Sequence, residues 1–175
     1  MSRALPSGRH RCVLSLGSNL GDRLAHLQGA LDQLVADGEL CPVAVSAVYE
    51  TAPVGGPEQP HYLNAVLLVE TALPPEALLR WVNSVEDALG RIRRERWGPR
   101  VIDIDIIAVG DQRRCGPVLT VPHPRAYERA FVLAPWLDVD PDAALPARGM
   151  VADLLTAAGR GGVRRCPTLH LRLPA

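Results

Sequence analysis

The chain contains no lysine, and all 19 of its basic residues are arginine. That excludes a Walker-type phosphate lysine, a Schiff-base lysine and a lysine general base. Neither sign of charge is in excess, with 19 basic residues against 19 acidic ones, so the bulk balance points to neither nucleic acid nor a membrane surface. Cysteine is sparse. Cys12, Cys41, Cys115 and Cys166 stand far apart without a C-x-x-C pair, which suggests neither a zinc site nor a redox motif and fits a reduced, cytoplasmic setting. No apolar run approaches membrane-spanning length, and the run after the basic start MSRALPSGRHR is too short for a signal sequence. A cytoplasmic, monomeric protein without nucleic acid or membrane partners is expected.

At 175 residues the chain is long enough for one domain with a real core and too short for two ordinary ones. Residues 1–10 read as a loose leader, 11–160 as a single domain and 161–175 as a tail or an added edge strand. Residues 11–17 alternate as a first strand. Leu20, Leu24, Leu27, Leu31 and Leu34 then recur at helical spacing, with Asn19 as the expected cap and Gly38 as the stop. Strands are predicted over 43–50 and 63–71, separated by the proline- and glycine-rich loop TAPVGGPEQPHY. A second helix opens at Pro74-Pro75 and runs to about Gly90, with Leu78, Leu79, Val82, Val85, Ala88 and Leu89 as its apolar stripe. The basic loop RIRRERWGPR leads into a further strand. This βαββαβ order predicts an α+β, ferredoxin-like sandwich: an antiparallel sheet with two helices on one face, followed by a helical C-terminal appendage.

The last of these strands, VIDIDII, poses a physical problem. Ile102, Ile104 and Ile106 alternate with Asp103 and Asp105, so the isoleucines take one face and both carboxylates the other. Aspartate is a poor strand former, and like charges on one strand face repel. Residues two apart on a strand are roughly 6.5–7 Å apart, which lets two carboxylates converge on a pair of hard cations about 4 Å from each other. Magnesium suits such oxygen ligands and takes its remaining ones from water and phosphates. A solvated strand face without metal is the alternative. Arg80, Arg91, Arg93, Arg94, Arg96 and Arg100 precede the pair, and guanidinium groups suit bidentate phosphate contacts. Their alternative is a charge run neutralised by Glu86 and Glu95.

Other residues offer recognition chemistry. Tyr62 and Phe131 adjoin polar, proline-rich segments where they could stack on a flat heterocycle, although core packing is the better reading of Phe131 taken in isolation. Asn64 shares a strand face with Tyr62 and offers both a donor and an acceptor. His123, between prolines, could donate to phosphate. Trp97, in a polar loop, could cover a base or pack on a neighbouring helix. GSNLGDR lacks the full G-x-G-x-x-G or G-x-x-x-x-G-K pattern and supports no nucleotide fingerprint.

Four segments, LSLGSNLGDR, YETAPVGGPEQPHYLNAVLLVET, RRERWGPRVIDIDII and LTVPHPRAYERAFVL, together closely resemble the 6-hydroxymethyl-7,8-dihydropterin pyrophosphokinase family, in its order and over residues 12 to about 137. The resemblance implies transfer of pyrophosphate from ATP to the pterin's hydroxymethyl oxygen, with AMP released and folate synthesis served. It implies that Asp103 and Asp105 hold two Mg2+ ions and that Arg91 and Arg100 act from a catalytic loop. Thr51, Ala52, Val54, Tyr62, Asn64 and Phe131 match pterin-site positions. Glu86, Arg93, Trp97, Ile106, Thr120, His123 and Arg129 match ATP-site positions. The loops at 51–61 and 91–100 are expected to close as lids over the site. Val118 and Pro124 depart from the pattern, where some relatives carry an arginine and a tyrosine, a role that Arg113, Arg114 or Arg125 could take over. Two rival classes are a ferredoxin-like module that binds ligand or RNA without chemistry, and a metal-dependent nucleotide hydrolase.

Overall fold

In the computed structural model, which describes residues 8–90 and 98–175, the first strand is buried on both faces from Cys12 onward, as befits the middle of a sheet. This is β1 (His10–Ser18). Helix α1 (Arg23–Val35) follows, then β2 (Leu40–Val45), β3 (Tyr49–Thr51) and β4 (Tyr62–Thr71). Helix α2 (Pro75–Ala88) and β5 (Asp103–Val109) complete the βαββαβ unit, with proline at the first helical position of α2, where a missing N–H costs nothing. β1 is flanked by β4 on one side and β5 on the other, both antiparallel, and β2 and β3 both pair with β4. The expected ferredoxin-like sandwich is therefore present. The predicted strand over 43–50 is interrupted, however. Ser46 breaks it by bonding Val66 twice, its amide donating to the Val66 carbonyl and its hydroxyl accepting from the Val66 amide, both at 2.9 Å.

Helices α1 and α2 cover one face. Leu27, Leu31 and Leu34 meet Leu78, Val82 and Val85 above Leu14, Leu16 and Leu67 of the sheet. Truncating a fully buried leucine such as Leu67 to alanine costs about 2–5 kcal/mol in such a core. The helix cap differs from expectation. Asp22 caps α1, its side chain accepting from the Ala25 amide at 3.0 Å, while Leu20 lies before the helix and is partly exposed. In α2, Ala88 faces outward and Glu86 is buried in the apolar stripe instead.

Beyond β5 come the short strands β6 (Arg114–Cys115) and β7 (Thr120–Val121), which pair with each other. A single 3-10 turn over Ala126–Glu128 leads into α3 (Ala130–Val139). Strands β8 (Ala144–Leu145) and β9 (Gly149–Met150) form a small hairpin before α4 (Val151–Ala158), and β10 (Val163–Arg165) then pairs with β3 at the sheet edge. The expected C-terminal helices are present, and they pack onto the sheet. Val132, Leu133 and Trp136 of α3 and Val151 and Leu155 of α4 pack with Val13, Val66, Leu68 and Ile107, forming a second core on the face opposite α1 and α2. The last residues pack too, with Cys166 and Leu171 buried in the first core. Of the expected leader, residues 1–7 lie outside the described residues, and β1 already begins at His10. No described helix is long and apolar enough to cross a membrane.

Candidate active site

Strand register builds the floor of the site. Gly17 on β1 lies opposite Asn64 on β4 and opposite Asp103 on β5, so three strands bring these residues into one row. Ser15, two residues earlier, lies opposite Asp105. A cavity of about 610 Å³ opens over this row, on the face that α3 and α4 cover elsewhere. Gly17 keeps the floor flat: a Cβ there would stand 3.1 Å from the Asn64 Oδ1 and 3.5 Å from a Tyr62 ring carbon.

One end of the cavity combines flat apolar surface with a few fixed polar groups. Thr51, Ala52, Val54, Tyr62, Asn64 and Phe131 all line it. Asn64 is buried and donates through Nδ2 to the Thr51 Oγ1 at 2.8 Å, which fixes the amide while its Oδ1 faces the Gly17 side. Phe131 sits in the first turn of α3, where Pro135 has no N–H to give to its carbonyl.

The other end is ionic. Asp103 and Asp105 share the cavity with Arg100, His123 and Arg129. Ile102 and Ile104 are buried under the α1–α2 layer, so the alternation read from VIDIDII is the alternation observed. Arg100 Nη1 reaches the Asp103 Oδ1 at 2.8 Å, and Arg129 Nη1 stands 3.6 Å from the Asp105 Oδ2. Burial first, and the neighbouring Asp103 second, push the Asp105 carboxyl up to about 7, with Arg129 working against them. Such a carboxyl favours a positive charge arriving beside it. Burial and the nearby Arg129 pull the His123 imidazole down to about 4. Its Nδ1 accepts from the Arg125 amide at 3.1 Å, so the neutral ring carries its proton on Nε2.

Not every expected residue reaches the cavity. Ile106 points to the opposite face and is buried with the other isoleucines beneath α1 and α2. Glu86 is buried in α2, where its Oε1 accepts from the Ile104 amide at 2.7 Å, bracing the aspartate strand from behind. Thr120 is half-buried on β7 and does not line the cavity. Arg91, Arg93 and Trp97 lie outside the described residues, together with Arg94 and Arg96. Val118 is 77% exposed and contributes no wall. Of the three arginines weighed as replacements, Arg125 lines the cavity and pairs with Glu128 at 2.5 Å, whereas Arg114 is engaged by Glu76.

Sequence reasoning missed two residues. Gly17 opens the GSNLGDR segment, which matches no nucleotide fingerprint, although a lone glycine inside a strand is itself a signal of close approach. Asn19, expected as a helix cap, is instead a buried junction. Its Nδ2 donates to the Gln59 Oε1 at 2.9 Å and to the Pro60 carbonyl at 3.0 Å, while its Oδ1 accepts from the Arg100 amide at 2.7 Å. It thereby joins the first turn, the 51–61 loop and the end of the basic loop.

The family model for 7,8-dihydro-6-hydroxymethylpterin-pyrophosphokinase matches residues 13–141. A 2-amino-4-hydroxy-6-hydroxymethyldihydropteridine pyrophosphokinase of Methylorubrum extorquens is 42% identical over 155 residues, covering 89% of this chain and 98% of that one. The enzyme of the same name from Mycobacterium tuberculosis is 45% identical over 149 residues, covering 79% and 77%. Among solved structures, wild-type HPPK-DHPS of Plasmodium falciparum with pterin and p-hydroxybenzoate aligns with a TM-score of 0.66 at 16% identity, and this likeness shows the fold. It covers 90% of this chain and 42% of that one, so the chain spans less than half of the Plasmodium protein. The chain belongs to the 7,8-dihydro-6-hydroxymethylpterin-pyrophosphokinase family, kinase-type enzymes that transfer pyrophosphate in folate biosynthesis.

Proposed function

We propose that the chain transfers the β,γ-pyrophosphoryl unit of ATP to the hydroxymethyl oxygen of 6-hydroxymethyl-7,8-dihydropterin, with Asp103 and Asp105 holding two Mg2+ ions. The supporting observation is the row Asn64, Gly17, Asp103, which sets a flat, amide-edged pocket directly beside a pair of carboxylates in one cavity. Tyr62 and Phe131 supply aromatic surface for the pterin, and the Asn64 amide suits a heterocycle edge. The donor set fits magnesium. Burial and the neighbouring Asp103 hold the Asp105 carboxyl above its ordinary range, so a cation beside the pair is favoured, and two carboxylates leave the remaining positions of a magnesium ion to water and phosphate. When bound, the ions neutralise charge on the phosphates and orient them.

The residues of the chain then do the positioning. The hydroxymethyl oxygen attacks the β-phosphorus, the bond from that phosphorus to the oxygen of the α-phosphate breaks, and AMP leaves. Asp105 is the candidate acceptor of the hydroxyl proton. Arg100 and Arg129, each beside one of the carboxylates, are placed to bind phosphate oxygens, which suit guanidinium groups. His123 donates through Nε2 as a neutral ring. The 51–61 loop covers the site and keeps water from competing with the hydroxyl, for which Val54 offers an exposed apolar tip.

Product analysis tests this reading. Magnesium, ATP and the dihydropterin should yield pterin diphosphate and AMP, in equal amounts and only when pterin is present. Appearance of ADP, or of AMP at the same rate without pterin, would show a different reaction. Asp103→Ala and Asp105→Ala should each abolish transfer in folded protein.

A further inference from the structure

The C-terminal segment reaches the same cavity. Helix α4 ends at Gly159, whose φ of 78° and ψ of 155° are open essentially to glycine alone. The chain turns through 160–162, closed by the Val163 amide donating to the Arg160 carbonyl at 3.2 Å, and leaves as β10. Gly159, Gly161, Gly162 and Val163 border the cavity, and Val163 lies opposite Thr51. No residue of this segment stands beside the carboxylates by register, since those lie on β5 at the other edge of the sheet, with β3, β4 and β1 between.

β10 also holds the strand that carries Thr51. Val163 lies opposite Thr51, and Thr51 in turn accepts from Asn64. Arg164 donates to the Glu50 Oε1 at 2.6 Å, while Arg23 donates to the other carboxylate oxygen at 3.0 Å and to the His61 carbonyl at 2.9 Å. The Cys166 amide donates to the Val48 carbonyl at 2.8 Å. β3 is thus clamped between β4 and β10, and its last residue is where the 51–61 loop begins.

We propose that the glycine turn 159–162, with β10, is the outer wall of the pterin end of the cavity and holds Thr51 against the heterocycle. The C-terminal segment then sets affinity for the pterin without setting affinity for the nucleotide. This rests on the reading of the Thr51–Phe131 end as the pterin site. A wall of glycines brings the backbone itself to the ligand, and side chains added there occupy ligand space.

Gly161 is the position at which to test it. Its backbone is not left-handed, and a Cβ there meets no atom within 4 Å, so a side chain is accommodated without strain. Deleting the chain after Ala158 would instead strip Cys166 and Leu171 from the core. In the full chain, Gly161→Ala and Gly161→Leu are compared with the unsubstituted protein by calorimetry. Two constants are measured: that of a non-hydrolysable magnesium-ATP analogue alone, and that of 6-hydroxymethyl-7,8-dihydropterin with the analogue saturating. The wall predicts a pterin Kd raised progressively, by roughly tenfold for leucine, with the analogue's own Kd within about twofold. An unchanged pterin Kd in folded Gly161→Leu, or equal weakening of both ligands, overturns the proposal. Failure of the unsubstituted chain to bind the pterin at all would overturn the underlying site reading itself, and is seen separately.

Discussion

Asn19 and Arg100 bind each other through two hydrogen bonds: the Asn19 amide donates to the Arg100 carbonyl at 3.1 Å, and the Arg100 amide donates to the Asn19 Oδ1 at 2.7 Å. Arg100 in turn reaches Asp103 at 2.8 Å. The position of a charged group in the site is therefore set by a buried amide in the turn after β1.

Asn19→Ala removes the side-chain half of this junction and its bonds to Gln59 and Pro60. A buried group left without its partner costs about 1–3 kcal/mol, so thermal melting should fall measurably. The larger effect is on turnover. Displacing a catalytic group by about 1 Å can cost about a hundredfold, and kcat for pyrophosphoryl transfer should fall by roughly tenfold to a hundredfold. Steady-state kinetics decide, and a variant destabilised but fully active would show that Asn19 only braces the fold.

Gly17→Ala should act on binding more than on stability. Its backbone is not left-handed, so alanine is not strained there, but its Cβ crowds the Asn64 Oδ1 at 3.1 Å. Neighbouring side chains must give by a few tenths of an ångström where the pterin edge is to be read. The expected result is a pterin Kd several-fold higher with the melting temperature nearly unchanged; an unaltered Kd would remove Gly17 from the site floor.

Asp105 gives a pH signature in the metal-free protein. Its folded pKa, about 7, lies above the ordinary carboxylate value of 3.8. Between these values the folded state binds a proton that the unfolded state does not, so the Asp105 contribution to stability falls as pH rises from about 4 to about 7. His123 opposes it: with a folded pKa of about 4 against 6.5, its contribution rises with pH over that lower window. Asp105→Asn should therefore stabilise the protein relative to the unsubstituted chain at pH 8 in EDTA, with the gain vanishing toward pH 4. Melting curves across that range check it, and a gain that grows on acidification would reverse the sign of the argument.

What the sequence made legible followed from period. The alternation of VIDIDII placed both carboxylates on one face and the isoleucines on the other, and the order of elements gave the sandwich. Position 19 misled because asparagine before a helical leucine pattern looks like a cap, and only the fold reveals that Asp22 takes that part while Asn19 joins three loops. The α3–α4 layer was obscured because α3, AFVLAPWLDV, is apolar nearly all round and contains Pro135, so it carries no one-sided stripe. β10 is only three residues long, and its pairing with β3 is a matter of distant contact rather than local pattern.

The central claim is that the β-phosphorus, rather than the γ, is attacked. The most direct measurement is a single turnover with ATP labelled in its β-phosphate, in the presence of magnesium and the dihydropterin, with products separated by chromatography. The account predicts all transferred label in the pterin diphosphate and none in the AMP. Label retained in ADP would contradict it, because that places the break between the β- and γ-phosphates.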